Sequence, residues 1–122
     1  EEKIRAVLGD AVYGVGDDTI FAAVCRLLKE KNMKIAFAES CTGGLLAEKL
    51  TSVPGASGVL EQSFVTYSVR AKHDLLGVNE VALSEFGAVS EQVARAMAEG
   101  VKKRSSADIG VSVTGVAGPD SD

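Results

Sequence analysis

Histidine occurs once in this chain, at position 73, and cysteine twice, at 25 and 41. The lone imidazole sits among Arg70, Lys72 and Asp74 on an expected helix, where it should be solvated. That argues against a Ser-His-Asp triad. Two cysteines do not make a disulfide framework. Cys25 falls among the apolar residues of an expected helix and reads as core, whereas Cys41 falls in a turn, and reduced thiols fit a cytosolic protein. No apolar run approaches the roughly 18 residues that cross a bilayer, and no signal peptide is read. The expected setting is cytoplasmic, without a membrane partner. Basic residues are not in excess: 13 Lys and Arg against 17 Asp and Glu leave a net charge of −4. A nucleic-acid partner normally demands a basic face or stripe, so none is expected, and any anionic ligand must be held locally. Internal repeats and low-complexity segments are absent.

What remains is an ordinary globular composition, 46% apolar and 25% charged over 122 residues. That length implies one domain and buries about two-thirds of its unfolded surface. The sequence opens without methionine and stops in the turn-rich Gly118-Pro119-Asp120-Ser121-Asp122. Residues 1 to 16 are therefore expected to be a linker or the end of an upstream element, and 17 to 122 a domain incomplete at its C-terminal side.

Period and punctuation order the rest. Asp17, Asp18 and Thr19 offer caps and favourable charge for a helix with Ile20, Val24, Leu27 and Leu28 on one face. Lys34 to Ala38 is a short apolar run suited to a buried strand, followed by helical spacing from about 43 to 51 and the breaker Val53-Pro54-Gly55. Ser63 to Tyr67 has the β-branched and aromatic content of a second strand. Short helices are expected at about 69 to 76 and 80 to 86, ended by Gly77 and Gly87. Ser90 then caps a helix with Val93, Ala94, Met97 and Val101 on one face. Ile109 to Val113 is the third strand. Strands alternating with helices predict an α/β fold, a three-layer sandwich in which a mostly parallel sheet is flanked by helices.

The segment Ala38-Glu39-Ser40-Cys41-Thr42-Gly43-Gly44 carries the most chemistry, because it sets a hydroxyl, a thiol and two glycines on a strand-to-helix turn. Ligands of open α/β sheets bind outside the carboxyl ends of strands, and a helix N-terminus there offers unpaired N–H groups to an anion. A glycine-rich connection without function has the same local pattern. Thr114-Gly115-Val116-Ala117-Gly118-Pro119 is a second small-residue loop after a strand, and Tyr67-Ser68 ends a third. Ser40 is a weak nucleophile unless a base takes its proton. Lys72, 32 residues after Ser40, stands in the first turns of the helix after the Tyr67 strand, from where its side chain can reach back to the strand ends. A lysine becomes a general base when burial or nearby positive charge depresses its pKa, and Ser-Lys dyads exist. On spacing alone a solvated lysine is the commoner outcome. Tyr67 has two readings, a donor to an oxyanion or a packing residue with a wet hydroxyl.

Six ordered motifs then carry a resemblance: Ala38 to Gly44, Val53-Pro54-Gly55-Ala56-Ser57, Phe64-Val65-Thr66-Tyr67-Ser68, Lys72 with Leu75-Leu76-Gly77-Val78, Gly87-Ala88-Val89-Ser90-Glu91, and Thr114 to Pro119. From about residue 17 to its end the chain resembles the CinA C-terminal domain family. The resemblance implies a metal-free, cofactor-free Ser/Lys amidohydrolase that converts nicotinamide mononucleotide to nicotinic acid mononucleotide and ammonia in pyridine nucleotide recycling. Carried over, the nucleophile falls on Ser40, the base on Lys72 and a supporting role on Tyr67. Cys41, Thr42, Gly43, Gly44, Thr114 and Gly115 are the expected substrate-binding positions. The resemblance also implies a last strand and helix beyond residue 122, and in some relatives a fused N-terminal pyrophosphatase-like domain. The chain departs from the family pattern at Gln62-Ser63 and at Val69. Self-association into a homo-oligomer is expected from the apolar helical faces of a small domain. Two rivals are a catalytically silent nucleotide-binding or assembly domain, with Lys72 solvated, and a thiol enzyme using Cys41, for which the sequence offers no partner.

Overall fold

Strand β1 (Ile35–Glu39) is buried along its whole length, because it lies in the middle of a sheet covered on both faces. Its side chains alternate between the two layers, as the period of two requires. Ile35 and Phe37 pack into one core cluster, Ala36 and Ala38 into the other. The flanking strands are β2 (Leu60–Val65) and β3 (Ile109–Val113), both parallel to β1. Ala38 stands opposite Phe64 and Ser112, and Glu39 opposite Val65 and Val113. All three carboxyl ends therefore emerge on one edge. The computed structural model describes residues 1 to 119.

One layer is formed by α2 (Ile20–Glu30) and α3 (Leu45–Thr51). Cys25, Leu28 and Leu50 from these helices meet Ile35 and Phe37 in its core. The other layer holds α4 (Val69–Leu76), α5 (Glu80–Phe86) and α6 (Glu91–Ser105). Val93, Met97 and Val101, one face of α6 at a spacing of four, are wholly buried with Leu76, Val78 and Leu83. Gly110 in β3 lets this helix close on the sheet, since a Cβ there would collide with the Ala98 carbonyl oxygen. The α/β sandwich read from the sequence is the observed architecture.

Side-chain caps set the helix starts. Thr19, Ser68 and Ser90 each accept the N–H three residues on, at 3.1, 3.0 and 3.2 Å, which satisfies one orphan donor per helix. Boundaries differ from expectation near the strand ends: the first strand runs Ile35–Glu39 rather than 34 to 38. The second strand is Leu60–Val65 rather than 63 to 67, since Gln62 pairs with Ala36 through its backbone although it and Glu61 are exposed, a pairing that apolar content does not announce. The third helix begins at Leu45 rather than 43, since Gly43 and Gly44 take left-handed φ of 59° and 108°. Before α2 in the chain, α1 (Glu2–Leu8) buries no residue.

Candidate active site at the carboxyl edge of the sheet

Ser40 follows β1 directly and is held from both sides. Its N–H donates to the Val113 carbonyl at 2.9 Å, while the Thr66 N–H donates to the Glu39 carbonyl at 2.8 Å. The ladder thus continues one residue beyond the strands and fixes the Ser40 backbone. By alternation Ser40 shares the face of Ala36 and Ala38, the face covered by α4.

Lys72 meets it there. Helical side chains lean toward the N-terminus of their helix, so a lysine in the first turn of α4 runs back to the strand ends. Its partner on the same face, Leu76, is buried with it, while Arg70 and Asp74 pair at 3.8 Å on the solvent side. Lys72 is 1% exposed. Its Nζ lies 2.9 Å from Ser40 Oγ, 2.8 Å from the Thr66 carbonyl and 3.2 Å from the Tyr67 carbonyl. None of these partners is an anion, and Lys72 forms no ion pair among the described residues. Burial accordingly pushes the lysine pKa below its ordinary 10.5, against a smaller opposing effect from Cys41. Three acceptors satisfy an ammonium. A neutral amine fits equally well, with two N–H donors on the carbonyls and the lone pair toward the Ser40 hydroxyl.

The remaining expected positions divide. Cys41 is half-buried, and a Cβ added to Gly115 would lie 3.3 Å from its sulfur, so the loop after β3 closes against the loop after β1. Neither the Cys41 nor the Thr42 N–H makes a hydrogen bond among the described residues, whereas that of Gly43 donates to the Ser40 carbonyl at 3.0 Å. Thr114 is committed elsewhere: its hydroxyl donates to the Ala88 carbonyl at 2.7 Å, tying β3 to the loop before α6. Tyr67 reaches Lys72 through its carbonyl, and the residue is 66% exposed. His73, expected to be solvated, places Nδ1 2.9 Å from the Val78 carbonyl, because the left-handed Gly77 turns that carbonyl back toward α4.

Glu39 is the residue whose part the sequence reading did not see. It is fully buried, and its carboxylate accepts the Thr42 hydroxyl and the Leu46 N–H at 2.8 Å each and the Ala47 N–H at 3.1 Å. An acidic residue ending a strand just before a helix start was the available signal. Among the described residues no three His, Cys, Asp or Glu side chains are arranged to hold a metal ion, and no helix is long and apolar enough to cross a membrane.

The family model described as the CinA C-terminal domain matches residues 17 to 122. The chain belongs to the CinA C-terminal domain family. A protein of Caldicellulosiruptor saccharolyticus named as competence-damage inducible is 52% identical over 119 residues, covering 98% of this chain and 29% of that protein. A CinA-like protein of Chlorobium limicola is 55% identical over 97% of this chain and 28% of its own length. The chain thus spans under a third of the length of these curated relatives. Among solved structures, the competence/damage inducible protein CihA of Agrobacterium tumefaciens superposes with a TM-score of 0.81 at 44% identity, over 83% of this chain and 61% of that one. The competence damage-inducible protein A of Klebsiella pneumoniae gives 0.82 at 35% identity, over 84% and 63%.

Proposed function

We propose that this chain is an amidohydrolase that deamidates nicotinamide mononucleotide by a Ser/Lys acyl-enzyme route. The observation that carries the reaction type is the buried Lys72 nitrogen 2.9 Å from Ser40 Oγ with no anion to hold its proton. The substrate follows from the family resemblance. Lys72 takes the Ser40 proton as Oγ attacks the carboxamide carbon, and the carbonyl oxygen gathers negative charge. The N–H groups of Cys41 and Thr42 receive that charge, with Gly43, Gly44 and the backbone of Thr114 and Gly115 lining the same edge. One well-placed donor of this kind stabilises the transition state by about 3 to 4 kcal/mol. Lys72 then returns its proton to the departing ammonia, and water hydrolyses the ester to release the acid and restore Ser40. Tyr67 serves through its carbonyl, which helps orient Lys72. The lysine contact weighs against a silent binding or assembly domain. The thiol reading lacks support, since His73 is engaged with Val78.

Ammonia release from nicotinamide mononucleotide, measured for this chain and for Ser40→Ala, tests the reading. Turnover that falls by at least about a thousandfold in Ser40→Ala is expected, as loss of a covalent nucleophile removes the whole acyl route. Absence of turnover in the parent chain would point instead to the silent domain.

A further inference from the structure

A carboxylate with no exposed surface, on the sheet face whose preceding members are Ile35 and Phe37, is costly to bury unless its oxygens are occupied. Glu39 meets that condition with three donors, the Thr42 hydroxyl and the N–H groups of Leu46 and Ala47. Together with Glu39 these contacts span residues 40 to 44. One end of that turn is fixed by Glu39 itself at the end of β1, the other by the first turn of α3, and Thr42 is held in the middle. Gly43 and Gly44, both at positive φ, give the segment a freedom that side-chain packing does not restrict. Ser40 Oγ must nevertheless stay at hydrogen-bond distance from Lys72, which lies with it on the face of the sheet opposite the Glu39 side chain.

We propose that Glu39 is the positioning residue of the nucleophile turn, its carboxylate locking residues 40 to 44 so that Ser40 remains in contact with Lys72. The inference rests on the hydrolase reading above, and extends it to a group that touches neither substrate nor base. Because all three partners are donors, Glu39→Gln turns an NH2 group toward at least one of them and releases that tie. The shape of the side chain is kept. The effect is then on reactivity of the serine, not on affinity for the nucleotide.

A fluorophosphonate probe reads that reactivity without any bound nucleotide. The Ser40 oxygen forms a bond to phosphorus, fluoride leaves, and the serine proton passes to Lys72. The expected result is labelling of the parent chain at Ser40, none in Ser40→Ala, and labelling 10- to 100-fold slower in Glu39→Gln. Turnover of nicotinamide mononucleotide should show the same loss in kcat with KM within about threefold. Val101→Ala supplies the control for destabilisation: Val101 is fully buried toward the far end of α6, and this variant should label at the parent rate while folded. Thr42→Val, which removes one tie and leaves two, should label several-fold slower and decides the matter where Glu39→Gln does not fold. Labelling of Glu39→Gln or of Thr42→Val at the parent rate overturns the positioning role alone. A parent chain that neither labels nor releases ammonia overturns the hydrolase reading and this inference together.

Discussion

Replacing Lys72 with methionine removes the terminal nitrogen and keeps an unbranched, apolar side chain out to the ε position. Three contacts go with it, at 2.9 Å to Ser40 Oγ, 2.8 Å to the Thr66 carbonyl and 3.2 Å to the Tyr67 carbonyl. Under the proposed mechanism the catalytic consequence is loss of the base, which in comparable enzymes contributes about 10²- to 10⁴-fold in rate, or roughly 2.7 to 5.4 kcal/mol. The stability consequence has two opposed parts. Two carbonyls lose a donor, each costing about 1 to 3 kcal/mol where water cannot replace it, while a buried cation without a counter-ion is relieved. Their balance shifts with pH in a fixed direction. Burial lowers the Lys72 pKa from 10.5, so near and below 10.5 the unfolded chain binds more protons than the folded one. The parent chain therefore gains stability as pH rises from below the folded pKa toward 10.5, and loses it as pH falls. Lys72→Met lacks this dependence, so its stability relative to the parent is most favourable at low pH and declines as pH rises. Urea unfolding of both proteins at several pH values, beside ammonia release from nicotinamide mononucleotide, measures the two effects separately. Activity within tenfold of the parent, or a stability difference independent of pH up to 10.5, would refute the reasoning.

Other substitutions probe single features. Tyr67→Phe should change kcat by less than about threefold, since Lys72 uses the carbonyl of this residue and its ring is exposed; a loss beyond tenfold in steady-state turnover would put the hydroxyl in the reaction. Gly44→Ala forces a side chain to φ 108°, with Val65 Cγ2 3.6 Å from the new carbon, and should cost about 1 to 3 kcal/mol in urea unfolding. Met97→Ala empties a fully buried position on α6 and should cost about 2 to 5 kcal/mol by the same assay, leaving the KM for the nucleotide unchanged.

Much of the architecture was legible because local signals agreed with the fold. Thr19, Ser68 and Ser90 cap the helices that they were expected to cap or precede, and the β1 core and the α6 face follow period and polarity. The contact between Ser40 and Lys72 was foreseeable in outline, since parallel strands bring their ends to one edge and a first-turn lysine leans toward it. Its burial was not, because that depends on how α4 packs against the sheet, with Leu76 beside α6 in the same core. Tyr67 illustrates a different limit: sequence names a side chain, but the group that touches Lys72 is a carbonyl. Glu39 was hidden for a similar reason, as two of its three partners are backbone N–H groups that no residue type announces. His73 turned on Gly77, whose left-handed conformation folds the Val78 carbonyl back to the ring.

In the proposed mechanism a buried Lys72, its pKa lowered by desolvation, activates Ser40 for amide hydrolysis. The most direct test follows kcat/KM for nicotinamide mononucleotide against pH and, on the same protein, the titration of the Lys72 ε-carbon by NMR. One rise in rate with increasing pH is expected, at a midpoint that coincides with the lysine titration and lies below 10.5. A rate that ignores that titration, or a lysine that titrates at or above 10.5, would contradict the mechanism.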